Sequence, residues 1–93
     1  MLIEIFDGAS NSIKIGKSCE IVGNLYFQLK IYQDAELFLD RTFRIYEIVY
    51  TSANPKTLSV QILLGRAQIK NERYREAVKT LNDLILEHNH KFI

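Results

Sequence analysis

Gly23-Asn24-Leu25-Tyr26-Phe27-Gln28-Leu29-Lys30-Ile31-Tyr32-Gln33-Asp34-Ala35 has a counterpart 42 positions on, Gly65-Arg66-Ala67-Gln68-Ile69-Lys70-Asn71-Glu72-Arg73-Tyr74-Arg75-Glu76-Ala77. The two stretches share their glycine, their tyrosine and their alanine. Asp34 and Glu76 match as acids, and a leucine stands four residues past each alanine, Leu39 and Leu81. Each match has a packing reason. Glycine at 23 and 65 lets two helix backbones approach closely. Ala35 and Ala77 do the same from the opposing helix, while Tyr32 and Tyr74 open that helix and fill the wedge at the turn. A period of this size signals a helical array.

Outward from these stretches the apolar spacing is helical. Val22, Leu25, Tyr26 and Leu29 share one face of a first helix. Ala35, Phe38, Leu39, Thr42, Ile45, Tyr46 and Val49 follow steps of three and four on a second. Leu58, Ile62, Leu63, Ala67 and Ile69 continue on a third, and Ala77, Val78, Leu81, Leu84 and Ile85 on a fourth. Pro55 is the only proline, and Asn54-Pro55 reads as a helix start, because proline at the first helical position loses no needed donor. The spacing predicts an all-α chain with helices near 13–30, 33–51, 55–71 and 74–89, arranged as two hairpins. The opening Leu2-Ile3-Glu4-Ile5-Phe6 reads either as the truncated end of a preceding repeat helix or as a short tail docked on the first helix. The expected units are therefore 1–12, 13–54 for the first repeat and 55–93 for the second.

Composition narrows the classes. A chain of 93 residues and 10.8 kDa makes one small domain. Hydrophobic residues at 47% are too many for disorder. A net charge of +1 lacks the basic surplus of a nucleic-acid binder. The single cysteine makes no internal disulfide, which fits a reducing, cytoplasmic setting. No run of ~18 apolar residues predicts a membrane span, and the start lacks the basic lead and apolar block of a signal peptide.

The glycine-to-alanine spacing of twelve, held in both copies, resembles the tetratricopeptide repeat. That repeat is usually ~34 residues long, and the longer period here is similar to the repeats of the kinesin light chain family. Leu25-Tyr26, Tyr32-Gln33-Asp34-Ala35-Glu36, the arginine, isoleucine and glutamate of Arg41-Thr42-Phe43-Arg44-Ile45-Tyr46-Glu47, and Ala53-Asn54-Pro55 carry the likeness, with Tyr74-Arg75-Glu76-Ala77 in the second copy. The paired asparagines that line that family's groove are absent. The resemblance covers about residues 13 to 88. It implies a short right-handed solenoid of two hairpins whose first helices line a concave groove. Stable arrays of this kind usually hold at least ~3 repeats, so open ends covered by a partner, by self-association or by further repeats are expected.

Catalytic motifs are missing. There is no phosphate-binding glycine loop, no G-x-S-x-G and no H-E-x-x-H. His88 and His90 do not share a helix face, so no metal and no cofactor is expected. Cys19 follows the core pattern and reads as a small buried apolar residue. Glu72 and Glu76, interleaved with Arg73 and Arg75, read as helix-start acids. Glu36 and Asp40, among Arg41 and Arg44, read as a solvated charged face. No enzyme, nucleic-acid partner or membrane partner is expected.

What remains is the groove. One step round from the core face stand Lys17, Glu20, Asn24 and Phe27 on the first helix, and Ser59, Ile62, Arg66, Ile69 and Lys70 on the third. Lys17, Asn24, Arg66 and Lys70 can bond a peptide's carbonyls and acids, and Phe27, Ile62 and Ile69 can seat an apolar side chain. Arg66, flanked by Ile62 and Ile69, either meets a ligand carboxylate or bridges internally to Glu20 or Asp34. The expected function is a non-catalytic adaptor or scaffold that binds a peptide or protein segment. The alternative is a structural subunit or fragment of a larger helical-repeat assembly, held by its helix ends and edges, with the apolar groove residues packed on neighbours.

Overall fold

The computed structural model describes the backbone of residues 2–92 and the side chains of residues 11–86. Four helices follow one another: α1 (Leu2–Gln28), α2 (Tyr32–Tyr50), α3 (Pro55–Lys70) and α4 (Tyr74–Phe92). No strand occurs among the described residues. Each helix packs on the next in chain order, which gives a flat array of 44 × 40 × 17 Å.

The turns that join α1 to α2 and α3 to α4 are one structure used twice. Lys30 N–H donates to Phe27 O at 3.0 Å and Ile31 N–H to Tyr26 O at 2.9 Å. At the same offset of 42, Glu72 N–H donates to Ile69 O at 3.0 Å and Arg73 N–H to Gln68 O at 2.8 Å. This pair of bonds is the Schellman motif, which places a left-handed residue just past the helix. Lys30 (φ 65°) and Glu72 (φ 60°) hold that place. Neither is glycine, so each carries a Cβ penalty of about 1 kcal/mol. The link from α2 to α3 differs. Thr51 takes φ 76°, and α3 starts as its sequence indicates, with the Asn54 side chain accepting the Lys56 N–H at 2.9 Å and Pro55 behind it.

Close approach fixes the helix spacing. A Cβ on Gly23 would stand 2.9 Å from Leu39, and one on Gly65 would stand 2.6 Å from Leu81. Gly16, which the repeat pattern does not mark, has the Tyr46 ring 2.9 Å from where its Cβ would be. The core is Ala35, Leu39, Leu64 and Ala67, with Tyr26, Phe27, Phe43 and Leu63 packed round it. Buried polar side chains cross between helices. Thr42 Oγ1 donates to Phe38 O at 2.9 Å and lies 3.4 Å from Gly16 O, Thr57 donates to Tyr46 O at 3.3 Å, and Gln61 donates to Thr80 O at 2.9 Å.

Several residues depart from the sequence reading. Helix α1 runs unbroken through Asn11 and Ser12, where a boundary between a leading segment and the first repeat is expected. Leu25, Leu29, Val78 and Ile85 are exposed rather than core. The reason is the open array: α1 and α4 each have a neighbour on one side only, whereas α2 and α3 are flanked on both. Tyr74 is exposed for the same reason and fills no wedge. Cys19 is half-buried. The side chains of His88 and His90 lie outside the described residues.

Two pairs of substitutions test this account. Gly23→Ala drives a methyl into Leu39, which is fully buried; overpacking of about 1–3 kcal/mol outweighs the ~1 kcal/mol of helix propensity gained. Gly65→Ala is near neutral, because Leu81 is half-buried on the open side and can swing away. Denaturant titration should therefore rank Gly23→Ala well below Gly65→Ala. Lys30→Gly and Glu72→Gly relieve the left-handed strain, and each should raise stability by about 0.5–1 kcal/mol in the same measurement.

Candidate functional site

The groove positions fall into two groups. Phe27, on the last turn of α1, meets Tyr32, the first residue of α2, edge to face with ring centroids 5.3 Å apart. Two cations of α3 lie over these rings. The Arg66 guanidinium is 5.3 Å from the Phe27 centroid and the Lys70 ammonium 5.8 Å from the Tyr32 centroid. Arg66 and Lys70 are one turn apart on the same helix face, and both are exposed. Ile62 and Ile69 flank them, 44% and 42% exposed. Each cation–ring contact at an exposed site is worth about 0.5–1 kcal/mol. That is enough to bias where a long side chain rests without using up its hydrogen-bond donors.

Arg66 therefore takes neither internal bridge. Among the described residues the ion pairs are Arg44 with Asp40 and Arg73 with Glu36, and neither Arg66 nor Lys70 has a carboxylate partner. Glu20 is instead turned toward α2, where its carboxylate accepts the Tyr46 hydroxyl at 2.8 Å. Burial, then the Glu20 hydrogen bond and charge, push the Tyr46 hydroxyl well above its usual pKa, so it stays a donor. Asn24 donates to the Glu20 backbone carbonyl at 3.1 Å. Both residues are thus engaged locally. Lys17 and Ser59 are exposed; Lys17 stands about 15 Å along α1 from Phe27 by helical rise. The structure brings together Phe27, Arg66, Ile69 and Lys70, and adds Tyr32, which sequence reasoning treats only as a turn residue.

A separate cleft of about 800 Å³ lies between α2 and the α3–α4 turn, lined among others by Asp34, Glu36, Leu37, Asp40, Arg73 and Glu76. Its central groups are bonded to one another. Glu36 is 9% exposed and accepts from Arg73 at 2.7 Å and from Asn71 Nδ2 at 2.9 Å. The second hydrogen of that amide goes to Tyr32 O at 2.9 Å. Glu36 is therefore a buried junction residue, not part of a solvated face, because the turn after α3 folds back onto α2 at this point. Asp40 does sit on a solvated face, paired with Arg44 at 3.0 Å. Asp34 and Glu76, matched as acids across the repeat, both line it. No grouping of His, Cys, Asp and Glu able to hold a metal occurs among the described residues.

Compared with family models, curated proteins and solved structures, the chain matches none. Among the described residues, no helix is long and apolar enough to cross a membrane.

The junction gives a graded expectation. Asn71→Ala removes both amide bonds and leaves Tyr32 O and Glu36 short of donors, at a cost of about 1–3 kcal/mol. Arg73→Ala removes a pair whose arginine is half exposed, and costs about 0–1 kcal/mol. Thermal melts of the two variants should separate them by several degrees.

Proposed function

We propose that the chain is a non-catalytic protein–protein interaction module of the tetratricopeptide type. In this reading two hairpins form a short right-handed solenoid that holds an acidic or amphipathic segment on the α1/α3 face. The repeated Schellman turns and the matched Gly23–Leu39 and Gly65–Leu81 contacts support the repeat reading. The observation that carries the function is the pair of cations on aromatic rings with no carboxylate partner among the described residues. A guanidinium laid on a ring keeps its N–H edge outward, where it can accept a carboxylate in bidentate fashion. Ile62 and Ile69 beside it offer an apolar seat. A second role, as a unit of a larger assembly, is favoured by the uncovered apolar faces of α1 and α4.

Selection of a random peptide display library on the immobilised protein tests the reading. Enriched peptides should place Asp or Glu beside an apolar residue, and their binding should weaken with salt. Arg66→Glu and Lys70→Glu should abolish it while lowering the melting temperature by only a few degrees, the amount that loss of the exposed cation–ring contacts accounts for. Enrichment without acidic residues, or equal binding by the Arg66→Glu chain, refutes the proposal.

A further inference from the structure

The two uncovered faces are counterparts of the two faces that meet inside the chain. Helix α2 meets α3 through Glu36, Leu39 and Phe43 on one side and Leu64, Ala67, Asn71 and Arg73 on the other. Shifted by 42, the α2 set becomes Val78, Leu81 and Ile85 on α4. Shifted back by 42, the α3 set becomes Val22, Leu25, Leu29 and Ile31 at α1 and its turn. Helices α2 and α4 each have 19 residues, offset by 42 at both ends, and α1 and α3 end at the same offset, at Gln28 and Lys70, although α1 is the longer.

The chemistry changes in concert. Inside the chain the edge of the α2–α3 junction is the polar trio Glu36, Asn71 and Arg73. At the open ends the same three places hold Val78, Leu29 and Ile31, exposed to 67%, 66% and 43%. Val78 belongs to α4, while Leu29 and Ile31 belong to the opposite end of the chain. A single apolar replacement would set a hydrocarbon against an unpartnered charge. All three are replaced, so the α4 face of one chain fits the α1 face of another. The near-zero net charge does not oppose their approach.

We infer that copies of this chain stack head to tail, α4 of one on α1 of the next, in the arrangement that α2 and α3 adopt within each copy. The contact joins two different surfaces and does not close on itself as a two-fold dimer does, so it adds copies in series. This inference does not depend on whether the α1/α3 face holds a peptide.

Sedimentation velocity on the purified chain, Val78→Asp, Leu29→Asp and their equimolar mixture tests it, with circular dichroism melts as the folding control. Both substitutions are at exposed positions and should leave the melt of the monomer unchanged. The unsubstituted chain should give a concentration-dependent series of oligomers. Each variant alone should lose association, because every junction uses one α4 face and one α1 face. The mixture should recover a 1:1 complex that grows no further, since one intact α4 face and one intact α1 face remain. A monomer at all concentrations overturns the inference. So does a dimer abolished by Val78→Asp but not by Leu29→Asp, or the reverse, which marks a two-fold contact of like faces. A mixture that stays monomeric overturns it as well.

Discussion

Contact between a glycine on one helix and a leucine on the next sets the dimensions of this molecule. A Cβ on Gly23 would stand 2.9 Å from Leu39 and one on Gly65 2.6 Å from Leu81, so a methyl enters only where the leucine can give way. Helices drawn this close enclose little side-chain volume. The largest fully buried side chains are Tyr46, Leu39 and Val60, followed by two threonines, Thr42 and Thr57. A chain of 93 residues has little apolar area to bury, and here part of its interior is given to hydroxyls and amides. The close spacing makes them useful. Thr42 reaches the backbone of α1, Thr57 that of α2 and Gln61 that of α4. Every buried polar side-chain atom among the described residues has a partner. Apolar contact alone would hold the helices together, whereas these directional bonds also fix the rotation of each helix about its axis.

What could be read from the sequence was local or repeated. Asn54-Pro55 states a helix start in its own chemistry, and the tyrosines at 32 and 74 mark where the second helix of each hairpin opens, although the first helices end at Gln28 and Lys70, before the expected 30 and 71. The start of α1 was not legible. Asn11-Ser12 resembles Asn54-Pro55 but has no proline, and without that ring nothing prevents the helix from continuing. Periodicity likewise says that a face is apolar, not that something covers it. Val22-Leu25 and Leu64-Ala67 have the same spacing, yet Leu25 is exposed whereas both members of the second pair are buried under another helix. The site shows the same limit. Helical spacing placed Arg66 and Lys70 on one face, but their aromatic partners belong to α1 and α2, and no pattern within α3 contains them.

The polar trio of buried Glu36 with Asn71 and Arg73 does more than stabilise the middle of the array. Leaving the buried Glu36 carboxylate without any donor costs far more than either of its bonds gains. If the α4 face of another copy were laid on α3 in place of α2, Val78 would stand where Glu36 does, and Asn71 and Arg73 would lose their acceptor. If α2 were laid on a foreign α1, Glu36 would face Leu29 and Ile31 with no donor. The polar trio inside and the apolar trio at the ends are therefore mutually exclusive partners. This is specificity by penalty, the usual way in which similar interfaces are kept from exchanging.

The same correspondence links the ends of the chain to its cation–aromatic face. Within one copy Phe27 carries Arg66 and Tyr32 carries Lys70. Across a head-to-tail junction, the equivalent places are taken by Ile69 with the next copy's Asn24, and by Tyr74 with the next copy's Gln28. Neither of those pairs contains a cation. A stack would thus display its paired cations once per chain, separated by a neutral junction that includes an exposed isoleucine and an exposed tyrosine. An acidic segment short enough for one copy would bind a stack no better than a monomer. A longer one, with acids spaced to match successive chains, would bind the second copy as an intramolecular step, and its affinity would rise with the length of the stack without any new kind of contact. Assembly and recognition would then be coupled through geometry and through the residues at their border, Ile69, which flanks Arg66 and also edges the junction, and the turn that carries Leu29 and Ile31 beside Phe27 and Tyr32.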